Sequence, residues 1–357
     1  MAKRNVDVLI IGQGLAGSLL AWELQRRGRS VVVVDDDHAS SSSRAAAGLV
    51  NAIVGTRLVK TEDAELLVPA ARALYRKLEA AFDRRFFHER PMLRLFRTDQ
   101  ERARWEERRQ DPEYRAWINE SWPIGEPPAA VHAPLGGFVQ HRTGFLDTNA
   151  LLDTLRDHLD QQQNRIVARI DPAAVTPVGD EVQWQAITAR CAIFCEGYRL
   201  RDNPWFDWLP MKPIKGEILT LHSRKPLPRA IINAGKWIVP FEDELFRLGA
   251  TYDHDRLDTL PTHEAREQLL AALPALLQQP PACEVVAHRV GIRPRSGDRR
   301  PLLGFHPHHA GLGVFNGFGS HGALLIPWYA SRMADRIDGI NTIPASADIR
   351  RFALPGA

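Results

Sequence analysis

The chain has 357 residues, 44% apolar and 25% charged, the composition of an ordinary globular protein and too long for one compact core. A formal net charge of +3 gives no electrostatic case for nucleic acid, and three cysteines do not make a disulfide scaffold. No stretch is long and charge-free enough to span a membrane. Asp7, Gln13 and three glycines interrupt the apolar run behind Met1-Ala2-Lys3-Arg4 that would otherwise look like a leader, and the odd, sparse cysteine count suits a reducing cytoplasm, where the protein is expected.

The first predicted element is a strand, the continuous apolar run Val8 to Ile11, suited to burial on both faces. Gly12, Gly14 and Gly17 follow in G-x-G-x-x-G spacing. The first allows a sharp turn, the second a close approach to a pyrophosphate, and the third close packing of helix on strand. Leu15 and Ala16 begin that helix. Ala16, Leu19, Leu20 and Leu24 give it an apolar stripe, and Gly28 stops it. A second buried strand, Val31 to Val34, ends in Asp35, where an acid accepts hydrogen bonds from a ribose. Together these define a dinucleotide site.

Ser40 to Ser43 alone would read as a linker. Followed by Arg44, Ala45-Ala46-Ala47 and Gly48, they offer small side chains and free amides that suit phosphates and the edge of a flat ring. Thr61 to Phe82 is predicted as one amphipathic helix, with Leu66, Leu67, Ala70, Leu74, Leu78 and Ala81 on its buried side. Residues 72–109 carry twelve Lys/Arg against seven Asp/Glu, read as solvated helix faces, with a surface for an anionic substrate or partner as the alternative. Of Trp105, Trp117, Trp122, Trp205, Trp208 and Trp237, most are expected to be core. Cys191 and Cys195 lie four apart in a strand pattern, roughly 13 Å, too far to bridge. His306-Pro307-His308-His309 reads as a turn, since no partner has ligand spacing, and no metal is expected.

From Gly12 onward the chain resembles the D-amino-acid oxidase superfamily, closest to its glycine oxidase and sarcosine oxidase branch. The resemblance rests on G-Q-G-L-A-G, Asp35 and S-R-A-A-A-G-L, then Gly144-Phe145-Leu146-Asp147 and Cys195-Glu196-Gly197. It continues through Lys215-Gly216-Glu217, Trp237-Ile238-Val239-Pro240, Gly249-Ala250-Thr251, Gly291-Ile292-Arg293-Pro294 and Asn316 to Gly322. Relatives carry a small residue where Glu196 stands, and the glycine oxidases' arginine near Ser320 has no counterpart. Residues 290–298 contain no cysteine, which excludes the sarcosine oxidase route to covalent flavin.

The resemblance implies an α/β fold: a Rossmann-like FAD-binding domain of the glutathione-reductase type and a mainly antiparallel β-sheet substrate domain with flanking helices. The flavin-binding domain is expected from residues 1–82, 141–212 and 289–357, and the substrate domain from 83–140 and 213–288. Non-covalent FAD is expected at Gly12, Gly14, Leu15, Ala16, Gly17, Asp35, Ser43, Arg44, Ala47, Gly48, Gly197, Arg293, Gly319, Ser320, His321, Gly322 and Ala323. The expected reaction oxidises a C–N bond of a small amine or amino acid by hydride transfer to flavin N5, with oxygen or a quinone as acceptor. Arg293 matches the substrate-carboxylate anchor, which a planar guanidinium can hold through both oxygens. Trp237 is expected to face substrate. Ala323 to Ile337 is predicted as a helix whose start, with His321, is aimed at the flavin's N1–C2=O edge; Pro327 is read as lying near its first turn. Alternatives are an oxidase of a carboxymethylaminomethyl-type tRNA uridine, a nicotinamide-dependent reductase, and a non-catalytic nucleotide-binding protein.

Overall fold

The structure, a computed structural model, describes residues 3–37, 41–128, 130–241 and 244–352. Met1, Ala2 and Ser40, which figure in the leader and serine-run readings, lie outside the described residues. The Val8–Ile11 run is part of strand Arg4–Ile11, with Val8, Leu9 and Ile10 fully buried. It lies in parallel between Val31–Asp35 and Ile187–Phe194. Arg165–Val167 extends this sheet in parallel on one side and Leu312–Asn316 on the other. Short antiparallel strands complete eight: Thr176–Val178 and Glu181–Trp184 at one edge, Leu302–Phe305 beside Leu312–Asn316. Helices Leu15–Arg26 and Gly322–Ile337 pack together over one face. This is the expected dinucleotide-binding layer.

A second eight-stranded sheet runs in the order Cys283–Arg293, Ile214–Ser223, Leu245–Gly249, Lys236–Pro240, Ile231–Ala234, Met92–Leu95, Gly137–Gln140, Glu120–Trp122. Every neighbouring pair is antiparallel except Ile231–Ala234 with Met92–Leu95. Its first strand crosses residue 288, where the sequence pattern suggested an exchange of domains. Side-chain alternation gives the sheet two different faces. Leu93, Ile232, Ile238, Leu248 and Leu219 form one cross-strand row and bury against Leu269 and Leu273. One residue along, Arg94, Asn233, Trp237, Gly249 and Ile218 form the next row on the opposite face.

Two sequence expectations need correction. The helix predicted from Thr61 begins at Ala64, and its buried stripe is Ala64, Leu67, Val68, Ala71, Leu74, Tyr75 and Leu78. Leu66 is 55% exposed and Ala81 is also exposed, because the 3–4 spacing that starts at Ala64 turns both away. Pro327 is the sixth residue of helix Gly322–Ile337, beyond the first turn. It removes the bond that the Ala323 carbonyl would receive. The buried Tyr75 hydroxyl donates to that carbonyl instead.

Five of the twelve cations in 72–109 pair with acids of the same segment, and the excess of five positive charges stays. Arg72 and Arg76 approach Glu89 at 3.4 Å, Arg102 approaches Asp99 at 3.3 Å and Arg109 approaches Glu106 at 2.7 Å; Arg97 pairs with Glu101. Trp105 and Trp117 are core residues, as read from sequence. No helix among the described residues is long and apolar enough to cross a membrane.

Candidate active site

A cavity of about 1340 Å³ lies between the parallel sheet's carboxyl ends and the second sheet. That exceeds the roughly 300–1,000 Å³ of a single small-molecule site and leaves room for a cofactor and a substrate side by side. Every sequence-nominated residue except Gly17 and Arg44 lines it.

At one end the chain turns at Gly12, whose φ is +102°. A Cβ there would lie 2.6 Å from the Cys195 carbonyl, and a Cβ on Gly17 would run into the Gly12 carbonyl. Gly17 therefore sets how closely helix and strand pack. The Asp35 carboxylate accepts from the backbone N–H of Gln13 at 2.7 Å and of Asp37 at 2.8 Å. Each oxygen keeps a lone pair for a ribose hydroxyl. Ser43 Oγ accepts from the Leu15 N–H at 3.0 Å, tying the serine segment to the fingerprint helix. Arg44 turns away and pairs with Asp153.

Glu196 lines the cavity beside Gly197, and Asn203 donates to its carboxylate at 2.7 Å. Burial pushes its carboxyl up to about 7, against the pull of that hydrogen bond. Arg199, on the same turn, pairs with Asp36 at 2.6 Å.

The cavity also meets the start of helix Gly322–Ile337. Its N-cap residue, His321, supplies no side-chain cap, nor does Gly14 at the start of helix Leu15–Arg26. Both helices thus bring first-turn N–H groups to the cavity wall, where negative charge is favoured. Ser320 and Gly319 line the same corner. Burial holds the His321 imidazole below its ordinary value, so it is neutral at neutral pH and adds no charge.

Across the cavity, Arg293 lies over Gly216, where a Cβ would collide with the guanidinium. It donates to the carbonyls of Lys215 at 3.3 Å and Thr251 at 3.1 Å and stands 4.3 Å from the Tyr252 ring centroid. No carboxylate among the described residues forms an ion pair with it. Burial lowers its pKa without a compensating acid. Trp237 is 9% exposed, and its ring leans over Gly249. Lys215 and Glu217, flanking Gly216, face the other way. Lys215 Nζ reaches Asp258 at 2.7 Å, and Glu217 accepts from the Thr262 hydroxyl at 2.9 Å.

Sequence reading missed Tyr252, Arg94 and Arg247. Arg94 lines the cavity; Arg247 donates to the Ala46 carbonyl at 2.9 Å, bracing the segment between Ser43 and Gly48. The available signal was an arginine at an inward position of an apolar strand, M-L-R-L and L-F-R-L-G.

A glycine-turn helix start, an acid with lone pairs free for a ribose and a second helix start around one cavity are the parts a flavin dinucleotide requires, and these residues fit it. The family model for DAO, FAD dependent oxidoreductase, matches residues 7–336. The chain belongs to that family of FAD-dependent oxidoreductases. It is 33% identical over 132 residues to the glycine oxidase of Pseudomonas aeruginosa, covering 37% of this chain and 36% of that one. It is 26% identical over 361 residues to the tRNA 5-methylaminomethyl-2-thiouridine biosynthesis bifunctional protein MnmC of Marinobacter nauticus, covering 92% of this chain and 55% of that protein. The chain thus spans about a third and about half of the lengths of these two curated relatives. Among solved structures, glycine oxidase from Geobacillus kaustophilus superposes with a TM-score of 0.79 at 22% identity, over 99% of each chain. Iminodiacetate oxidase from Chelativorans sp. BNC1 gives 0.80 at 21% identity, over 97% of this chain and 98% of that one. These two establish the shared fold.

Proposed function

We propose that the chain oxidises the C–N bond of a small amine or amino acid that carries a carboxylate. The observation that carries this reading is Arg293, a recessed guanidinium on the cavity wall with no acidic partner among the described residues. Leaving such a cation buried and unpaired is costly, and a substrate carboxylate would offset that cost through two parallel charge-assisted bonds. FAD, when bound, supplies the two-electron acceptor by taking a hydride at N5. The fingerprint residues Gly12, Gly14, Leu15 and Ala16, with Asp35, would hold its ADP-ribose part, and Gly319 to Ala323 its ring edge, without a covalent link. Arg293 then fixes the substrate's α-carbon, Trp237 walls the cavity against water, and no protein base is called on for a carbon-bound proton. The substrate amine must be neutral so that its lone pair can form the imine as hydride leaves. Oxygen or a quinone would reoxidise the cofactor.

The test is anaerobic bleaching of the flavin by glycine, N-methyl amino acids and D-amino acids. Bleaching by carboxylated substrates and not by matching uncarboxylated amines supports the reading; the reverse preference overturns it. The 92% coverage against the MnmC relative keeps a second reading, oxidation of a modified tRNA uridine. RNA binding with a steep salt dependence would argue for it.

A further inference from the structure

Arg94 repeats the arrangement of Arg293 at the other end of the substrate-side wall. It projects from the cavity face of its strand, donates to the Ile53 carbonyl at 3.1 Å and the Gly55 carbonyl at 3.0 Å, and forms no ion pair with any described carboxylate. Burial lowers it to about 10. These bonds engage two of five N–H donors, so the guanidinium retains capacity for an acceptor in the cavity. The other charges facing it are Arg97 and Glu101, which pair with each other and leave one net positive charge. Asn51 and Asn233 line the same region and add polar groups.

The register gives the separation. Arg94, Asn233 and Trp237 occupy one cross-strand row, so Arg94 stands two strand spacings, about 10 Å, from Trp237. Ile218 is two spacings further, about 19 Å from Arg94, and Gly216, beneath Arg293, is the next residue on its strand facing that way. The guanidinium groups are thus on the order of 15–20 Å apart. The Trp237 ring leans over Gly249, toward the Arg293 end of this row and away from Asn233.

We propose that Arg94 and Asn233 form a second, anion-recognising subsite, and that the substrate is an elongated amino acid whose tail ends in a carboxylate or phosphate. This rests on the proposed oxidation of a carboxylated amine and adds its substrate class.

The test uses FAD-loaded protein and titrates the flavin absorbance change caused by N-methylglycine, N-alkylglycines and N-(ω-carboxyalkyl)- or N-(ω-phosphonoalkyl)glycines of increasing length. A distal anion is expected to tighten binding about ten- to a hundredfold over the equally long alkyl compound, only when the chain can reach Arg94. Whether the carboxylate or the phosphonate series gains more identifies the tail. In R94M the preference should fall to near one, and Arg94→Lys should retain part of it. If R94M does not hold FAD, the length dependence in the wild type decides. Equal binding of acid and alkyl series at all lengths overturns the subsite. Tight binding of the short N-methylglycine beside that result leaves the proposed oxidation standing, whereas a flavin indifferent to every probe removes the oxidation as well. Salt-dependent displacement of the long acids by RNA would overturn the small-molecule assignment.

Discussion

Glu196 gives a test of the cavity's dinucleotide end that does not depend on knowing the substrate. Its backbone lies against the Gly12 turn, its carboxyl accepts from Asn203 and lines the cavity, and Arg199 is engaged by Asp36. Burial raises it from an ordinary 4.5 to about 7. For an acid whose folded value lies above its unfolded value, the folded chain holds the proton more tightly, so stability falls as pH rises between the two. The penalty is absent below 4.5 and complete above 7, where it amounts to about 3 kcal/mol. Glu196→Gln keeps an oxygen to accept from Asn203 and removes the titration. Denaturant unfolding of the FAD-loaded proteins should show the variant ahead by under about 1 kcal/mol at pH 5 and by about 3 kcal/mol at pH 8. An advantage that does not grow with pH, or a wild type more stable at pH 8, would refute the reasoning. It would mean that the carboxyl is ionised and well solvated.

Arg293→Leu should raise the substrate concentration for half-maximal bleaching about ten- to several-hundredfold with FAD content unchanged, as expected for the loss of roughly 1.5–3 kcal/mol of charge-assisted bonding. Unchanged concentrations would assign Arg293 to structure. Gly216→Ala should reproduce that loss with Arg293 still present, because the added methyl occupies the guanidinium's place; wild-type kinetics would show that the arginine does not lie there when substrate binds. Tyr75→Phe removes the buried hydroxyl that donates to the Ala323 carbonyl and should cost about 1–3 kcal/mol in denaturant unfolding. A change within error would mean that the carbonyl is satisfied in another way.

The dinucleotide end was legible because its signal is local. Glycine spacing, the apolar runs on either side and the terminal acid all fall within Val8 to Asp35, and each constrains backbone that is close in sequence. Arg44 shows the limit of that logic. Its backbone follows the expected segment, but its side chain is captured by Asp153 from a helix more than a hundred residues later. The helix starting at Ala64 was misread for a related reason: periodicity fixes the stripe only once the first buried residue is known, and Leu66 and Leu67 are equally apolar. Pro327 was assigned to a tolerant first turn, whereas it lies beyond it and relies on Tyr75, 252 positions earlier in the chain.

The substrate wall was less legible still, and its three arginines show why. Arg94 and Arg247 each interrupt an otherwise apolar strand and Arg293 ends one after Val290-Gly291-Ile292, and the period of two places all three on the face turned toward the flavin-binding layer. Their surroundings then separate them. Arg247 lies 4.1 Å from the Phe241 ring centroid and braces the Ala46 carbonyl, which is a structural task. Arg293 spreads over a glycine, and Arg94 flanks Asn233, each held in place by two backbone carbonyls and neutralised by no acid among the described residues. A carbonyl fixes a guanidinium without cancelling its charge, so both remain able to take an anion. An inward arginine in an aliphatic strand is therefore a readable sign of a polar site. Which arginines carry free charge is decided by residues from distant strands, and no local pattern contains them.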